Sequence, residues 1–195
     1  MSSRNKILKA VAENQPSPAA LPELGFLNVE NVSLSETFID VLTAIGGNVV
    51  RIESLGEIQS YILQNFNLSS RVVTTIPPLK RVAELMNKSS TSPHELSNID
   101  YAIIESHLAV AENGAVWVTE EGLGTRVLPF ICQHLAVVVN AIDIVSNMHA
   151  AYEIIQADDY GYGAFIAGPS KTADIEQSLV LGAHGPRSMT IFLML

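Results

Sequence analysis

The chain has 195 residues, 48% apolar and 16% charged, and a net charge of −9. That length fits one domain with a real core, and the acidic balance, with no basic stripe, argues against a binder of phosphate backbones. Its one cysteine, Cys132, excludes an internal disulfide, and an iron–sulfur cluster or Cys-rich zinc site built by this chain.

The first residues, Met1 to Lys6, are polar and no apolar targeting segment follows. No apolar run is long enough to span a bilayer, so the expectation is a cytoplasmic protein. Residues 3–14 have helical spacing, with Ile7, Leu8 and Val11 on one face, and Asn14–Pro18 breaks the pattern. Pro16 to Leu27 is a linker or surface arm. We take 1–29 as an N-terminal helix and Pro-rich arm and 30–195 as the domain proper.

Ser33-Leu34-Ser35-Glu36 fits a capping box. The helix it opens carries Phe38, Val41, Leu42 and Ile45 on one face and ends at Gly46-Gly47. Asn48–Ile52 is a strand. Ser54–Phe66 is a second amphipathic helix, with Ile58, Tyr61, Ile62 and Leu63 apolar, and Arg71–Thr75 is a further strand. Helix and apolar strand alternating at this spacing predict a parallel sheet with helices on its faces. Pro77-Pro78 ends the strand, a short helix covers Leu79–Met86, and Asn87–Pro93 is loop by composition.

Residues 99–118 are strand-rich. Asn113-Gly114, between apolar residues, is a strong hairpin signal and predicts an antiparallel excursion from the parallel sheet. Glu112, just before that turn, either points to solvent or lines a pocket. Thr119–Arg126 is a Gly-containing loop, Val127–Ile131 a turn and short helix, and His134–Val139 a buried strand containing no breaker. Cys132 sits in that apolar neighbourhood and reads as a buried, inert thiol. Residues 144–156 read as a helix with Ile144, Val145, Met148, Ala151, Tyr152 and Ile155 inward, and Asp158–Tyr162 as a turn. At the end, Gly163–Ala167 and Met189–Leu195 are apolar runs flanking one short helix, a strand–helix–strand unit.

Chemistry concentrates in this last unit. At Gly168-Pro169-Ser170-Lys171-Thr172 a glycine allows close backbone approach, Ser170 or Thr172 can cap the helix, and free amides, helix dipole and Lys171 together favour a carboxylate or phosphate. The spacing is not that of a P-loop. The plainer reading is a capped turn in which Asp174 and Glu176 satisfy the dipole themselves. His184, in Gly182-Ala183-His184-Gly185-Pro186, is a base, a ligand or a turn residue. The histidines show no metal-ligand spacing, and we assign no metal. Glu112 and Arg126 form the most plausible polar pair, or else a surface ion pair of small consequence.

Ala111-Glu112-Asn113-Gly114, Arg126-Val127-Leu128-Pro129, Gly168-Pro169-Ser170-Lys171-Thr172-Ala173-Asp174-Ile175-Glu176 and Gly182-Ala183-His184-Gly185-Pro186 occur in the order typical of the LUD domain, and residues 30–195 resemble that lactate utilization protein C family. The resemblance implies an α/β fold like that of ribose-5-phosphate isomerase and the coenzyme A transferases: a mostly parallel sheet flanked by helices, with an antiparallel β excursion. It also implies a non-redox part in oxidising L-lactate to pyruvate, with the iron–sulfur clusters on partner proteins and no cofactor in this chain. Site candidates are Glu112 and His184 for catalysis, and Arg126, Gly168, Ser170, Lys171, Thr172, Asp174 and Glu176 for a small anionic ligand. The chain departs from the family after the glutamate, where Asn113-Gly114-Ala115 replaces the usual Thr-Gly-Thr and two hydroxyls are missing. Two other functions fit the same residues: a stand-alone sugar-phosphate or acyl-CoA-type isomerase or transferase using Glu112, and an interaction module with a vestigial pocket. A homo-oligomer is possible.

Overall fold

The computed structural model describes residues 2–20, 22–23, 33–67, 69–86, 93–156, 160–175 and 178–195. The expected loop at 87–92, most of the arm's second half, Asp158-Asp159 and the candidate Glu176 lie outside the described residues. The first helix, α1 (Ser3–Glu13), is capped by the Ser2 hydroxyl and buries none of its residues.

The next helix, α2 (Leu34–Ala44), starts at Ser33, whose hydroxyl accepts the Glu36 amide at 3.4 Å. The Glu36 carboxylate does not close the expected box. It reaches Arg51, 2.6 Å away near the end of β1 (Asn48–Ile52). That pair shows that α2 and β1 run antiparallel, reversing at Gly46, whose φ of +91° suits only glycine comfortably. Phe38 and Leu42 are fully buried, each contributing about 1.5–3 kcal/mol of transfer free energy. The helix α3 (Leu55–Asn65) has its box: Glu57 reaches back to the Ser54 amide at 3.0 Å. Ile58 and Ile62 face inward, while Leu63, expected on the apolar face, is 71% exposed.

β2 (Val72–Thr74) follows. No helix covers Leu79–Met86. Pro77-Pro78 set one 3₁₀ turn, which ends at the buried Leu79, and Glu84–Leu85 then pair with β2 as β3. β4 (Tyr101–Glu105), β5 (Ala109–Val110) and β6 (Ala115–Thr119) come next. The Asn113-Gly114 hairpin forms as expected, pairing Val110 with Ala115, and the Asn113 side chain accepts the Ala115 amide at 3.0 Å. The expected loop at 119–126 contains a single helical turn, α4 (Glu120–Leu123), and α5 (Leu128–Ile131) leads into β7 (His134–Asn140).

Ile144–Val145 are not helical. They form β8 beside β5, and α6 (Met148–Ile155) begins only after Asn147, whose side chain caps it. Ala151 and Ile155 point inward, but Tyr152 is 56% exposed. After β9 (Gly163–Ile166) the expected helix is absent. β10 (Lys171–Ile175) and β11 (Ser178–Leu181) form an antiparallel hairpin that leads to β12 (Ser188–Met194). Thr172, Ile175 and Val180 are β-branched and favour the extended form.

Six strands make one wholly parallel sheet in the order β1-β12-β7-β4-β2-β3. The antiparallel excursion is a separate four-stranded sheet, β8-β5-β6-β9. It stacks on the first, because side chains alternate across each strand. Leu135, Val137, Ile191 and Leu193 share a core with Phe38, Leu42, Val116 and Val118. Ala136, Val138 and Phe192 face the opposite side and α3. Val110 and Trp117 turn outward onto α6. β9 and β12, expected in one unit, therefore belong to different sheets.

Candidate functional site

Three of the four motif stretches converge on the last turns of α2, at the amino-terminal edge of the parallel sheet. Gly114 (φ +68°) lies so close to this helix that a Cβ there would sit 3.0 Å from the Leu42 Cα. Gly168 (φ +71°) packs on Ile45, one turn along: its Cβ would meet the Ile45 carbonyl at 3.3 Å. These glycines serve close backbone packing against α2. The turns at 168–171 and 182–186 are laced together. The Ser170 amide donates to the Pro186 carbonyl at 2.9 Å, and the Gly182 amide donates to the Ser170 carbonyl at 3.0 Å.

With strand in place of helix after Gly168, the helix-dipole part of the anion argument is gone, and the Ser170 amide is already used. What stays is Lys171, exposed, its ammonium beside Gly46: a Cβ on Gly46 would lie 3.6 Å from Nζ. Lys171 is in none of the ion pairs among the described residues. Thr172 is half-buried next to it in β10, which also holds Asp174, and His184 is exposed in the facing turn. The in-register contact of His134 Nδ1 with Ser188 Oγ, 2.8 Å at the same edge, was not legible as a pair, because it depends on two strands 54 residues apart being adjacent.

Glu112 has a structural partner. Its Oε2 accepts the Met148 amide at 2.9 Å, beside the Asn147 cap of α6. A carboxylate at a helix N-terminus is favoured both by the free amides and by the dipole. The expected Glu112–Arg126 pair does not form. Arg126 sits at the other edge of the sheet, with its Nη2 2.5 Å from Glu120 Oε2 and its guanidinium 5.3 Å above the Tyr162 ring. Glu120 also accepts the Gly161 amide at 3.2 Å.

Arg126 borders a cleft of about 1030 Å³ beyond the carboxyl end of β4. Glu105, the last residue of β4, lines it with Glu120, Glu121, Trp117 and Tyr160, the two rings meeting edge to face at 5.2 Å. Glu105, Glu121, Trp117 and Tyr160 are not among the expected site residues. Only the stacking of the second sheet brings Trp117 alongside β4's end. Cys132 is buried, and desolvation pushes its thiol up to about 12.

Residues 79–194 match the LUD domain family. Among curated proteins, the chain is 32% identical over 92 residues to lactate utilization protein C of Bacillus pumilus, covering 44% of this chain and 38% of that one. With the protein of that name from Shouchella clausii the identity is 34% over 106 residues, covering 51% and 46%. With that from Anoxybacillus flavithermus it is 25% over 170 residues, covering 87% and 73%. The chain thus spans less than half the length of the first two relatives. A crystal structure of a DUF162 family protein from Deinococcus radiodurans shares the fold, with a TM-score of 0.66 at 17% identity over 86% of this chain and all of that one.

Proposed function

Since the chain belongs to the LUD domain family, we propose that it is a non-redox component of an L-lactate to pyruvate oxidation system, working with partner proteins that carry iron–sulfur clusters. The reading rests on relatives named lactate utilization protein C. The cysteine supply agrees with it: a single thiol does not make up the ligand set of an iron–sulfur cluster. The small carboxylate engages Lys171, because that ammonium is exposed beside the Gly168–Thr172 turn whereas Arg126 is already satisfied by Glu120. The carboxylate gains one charge-assisted contact there, and the half-buried Thr172 offers a hydroxyl nearby.

Two measurements test this. The purified chain alone, given L-lactate and an electron-accepting dye, leaves the dye oxidised, and its iron–sulfur partners are recovered with it on pull-down. Full lactate oxidation by the chain alone rejects the reading. In a thermal melt, lactate or pyruvate at a hundred times its dissociation constant adds about 2.7 kcal/mol, or about 5–10 °C for a domain of this size. That gain is lost in Lys171→Ala. A shift that survives Lys171→Ala places the carboxylate elsewhere.

A further inference from the structure

The Asn113-Gly114 turn between β5 and β6 holds a reactive pair that the fold keeps from reacting. In an Asn-Gly sequence the glycine amide nitrogen is free to attack the asparagine side-chain carbon, because glycine has no Cβ to block the approach. Several contacts oppose that step here. The Gly114 amide donates to the Val110 carbonyl at 3.0 Å, so its proton is engaged. Asn113 Oδ1 accepts the Ala115 amide at 3.0 Å, which fixes the carboxamide. Gly114 is buried with a φ of +68°, under α2, where a Cβ would sit 3.0 Å from the Leu42 Cα. The residues before it are anchored as well. The Ala111 amide donates to the Val145 carbonyl at 2.9 Å and the Glu112 amide to the Ser146 carbonyl at 3.1 Å.

We propose that Asn113 is a modification site that stays shut in the folded chain and opens when α2 leaves the hairpin. The reaction needs only water. The Gly114 nitrogen gives its proton to solvent and bonds to Asn113 Cγ. The Cγ–Nδ2 bond breaks, and Nδ2 leaves as ammonia. Water then splits the cyclic imide at either of its carbonyls. One opening gives aspartate. The other gives isoaspartate, in which the main chain runs through the side-chain carbon. Nothing is oxidised or reduced, and the net change is one amide hydrolysed to a carboxylate.

The two products fit the fold differently. Aspartate keeps the backbone and an oxygen for the Ala115 amide. Isoaspartate adds a carbon to the main chain, which pushes Gly114 against the α2 backbone or breaks the pairing of Val110 with Ala115. Interiors packed this closely do not absorb such a shift. A chain unfolded long enough to form isoaspartate therefore does not return to the native state, and the turn records the time spent open. This holds whichever carboxylate the chain binds.

The test follows the full chain in one mildly alkaline buffer, with and without guanidinium chloride. Peptide mass spectrometry counts conversion at Asn113 by its mass gain and tells isoaspartate from aspartate by fragmentation. The folded wild type converts at least about tenfold more slowly than the unfolded chain, a factor equal to about 1.4 kcal/mol of opening free energy. Phe38 is buried on α2 one turn before Leu42 and lies outside the hairpin. Phe38→Ala converts faster than the wild type when folded and at the same rate when unfolded. On dilution from denaturant, wild type held briefly regains its thermal melt, and wild type held until isoaspartate has formed does not. Asn113→Ser, which cannot cyclise, regains its melt after the same long hold. Asn113→Asp, diluted at once, also regains it, which assigns the loss to the lengthened backbone rather than to charge. Equal conversion rates folded and unfolded overturn the proposal. So does a folded rate that Phe38→Ala leaves unchanged, or an isoaspartyl chain that refolds with the wild-type midpoint.

Discussion

Glu112 shows how one residue's role depends on its neighbours. In sequence it is a carboxylate beside a turn in apolar surroundings. In space it faces the first amides of α6, 36 residues away. Glu112→Ala should therefore cost about 1 kcal/mol in urea unfolding and leave the lactate-induced thermal shift intact. Cys132 behaves oppositely, in that its burial was readable from its apolar neighbours. In the folded chain its thiol titrates near 12, against an ordinary value of 9.0. A raised value means that the stabilising contribution is complete below about pH 9 and is lost as the pH climbs toward about 12. A thiol reagent at about pH 8 should leave Cys132 untouched in the native protein and modify it fully in urea.

At the level of elements, local pattern decides how much can be read. The helices α2 and α3, the strands β1, β4 and β7 and the Asn-Gly hairpin follow from apolar period, caps and turn residues. The C-terminal segment defeats that approach. Ala173-Asp174-Ile175-Glu176-Gln177-Ser178-Leu179 carries helix formers and acids near its start, the marks of a helix N-terminus. The chain instead runs as strand and hairpin, and with the helix goes the helix end that was to hold the anion. Ile144 and Val145 evade local pattern for a similar reason: two β-branched residues next to a helical stretch look continuous with it, although Asn147 caps the helix behind them. The inner face of α2, Phe38 and Leu42, shares one core with residues of both sheets. Phe38→Ala should destabilise the protein by about 3–5 kcal/mol, measurable as a fall in the urea midpoint without a change in slope.

On the scale of the whole molecule, the site candidates separate into two edges of one parallel sheet. Gly168, Ser170, Lys171, Thr172 and His184 gather at the amino edge, and Arg126 lies at the carboxyl edge. No spacing in the sequence distinguishes these ends, because strand order and sheet stacking are non-local. The fold class could be read because alternation of helix and strand is a local property. The cleft could not, since it exists only where the second sheet lies over the end of β4.

The strand order has one more consequence, for the timing of assembly on the ribosome. β12 lies between β1 and β7, so β1, made from residues 48–52, has no neighbour in the sheet until residues 188–194 have been synthesised. Until then β1 stays unpaired, and once residues 134–140 have been made, the edge of β7 that faces the gap stays open as well. The pairing of β1 with the rest of the sheet is therefore a long-range event that waits on β12.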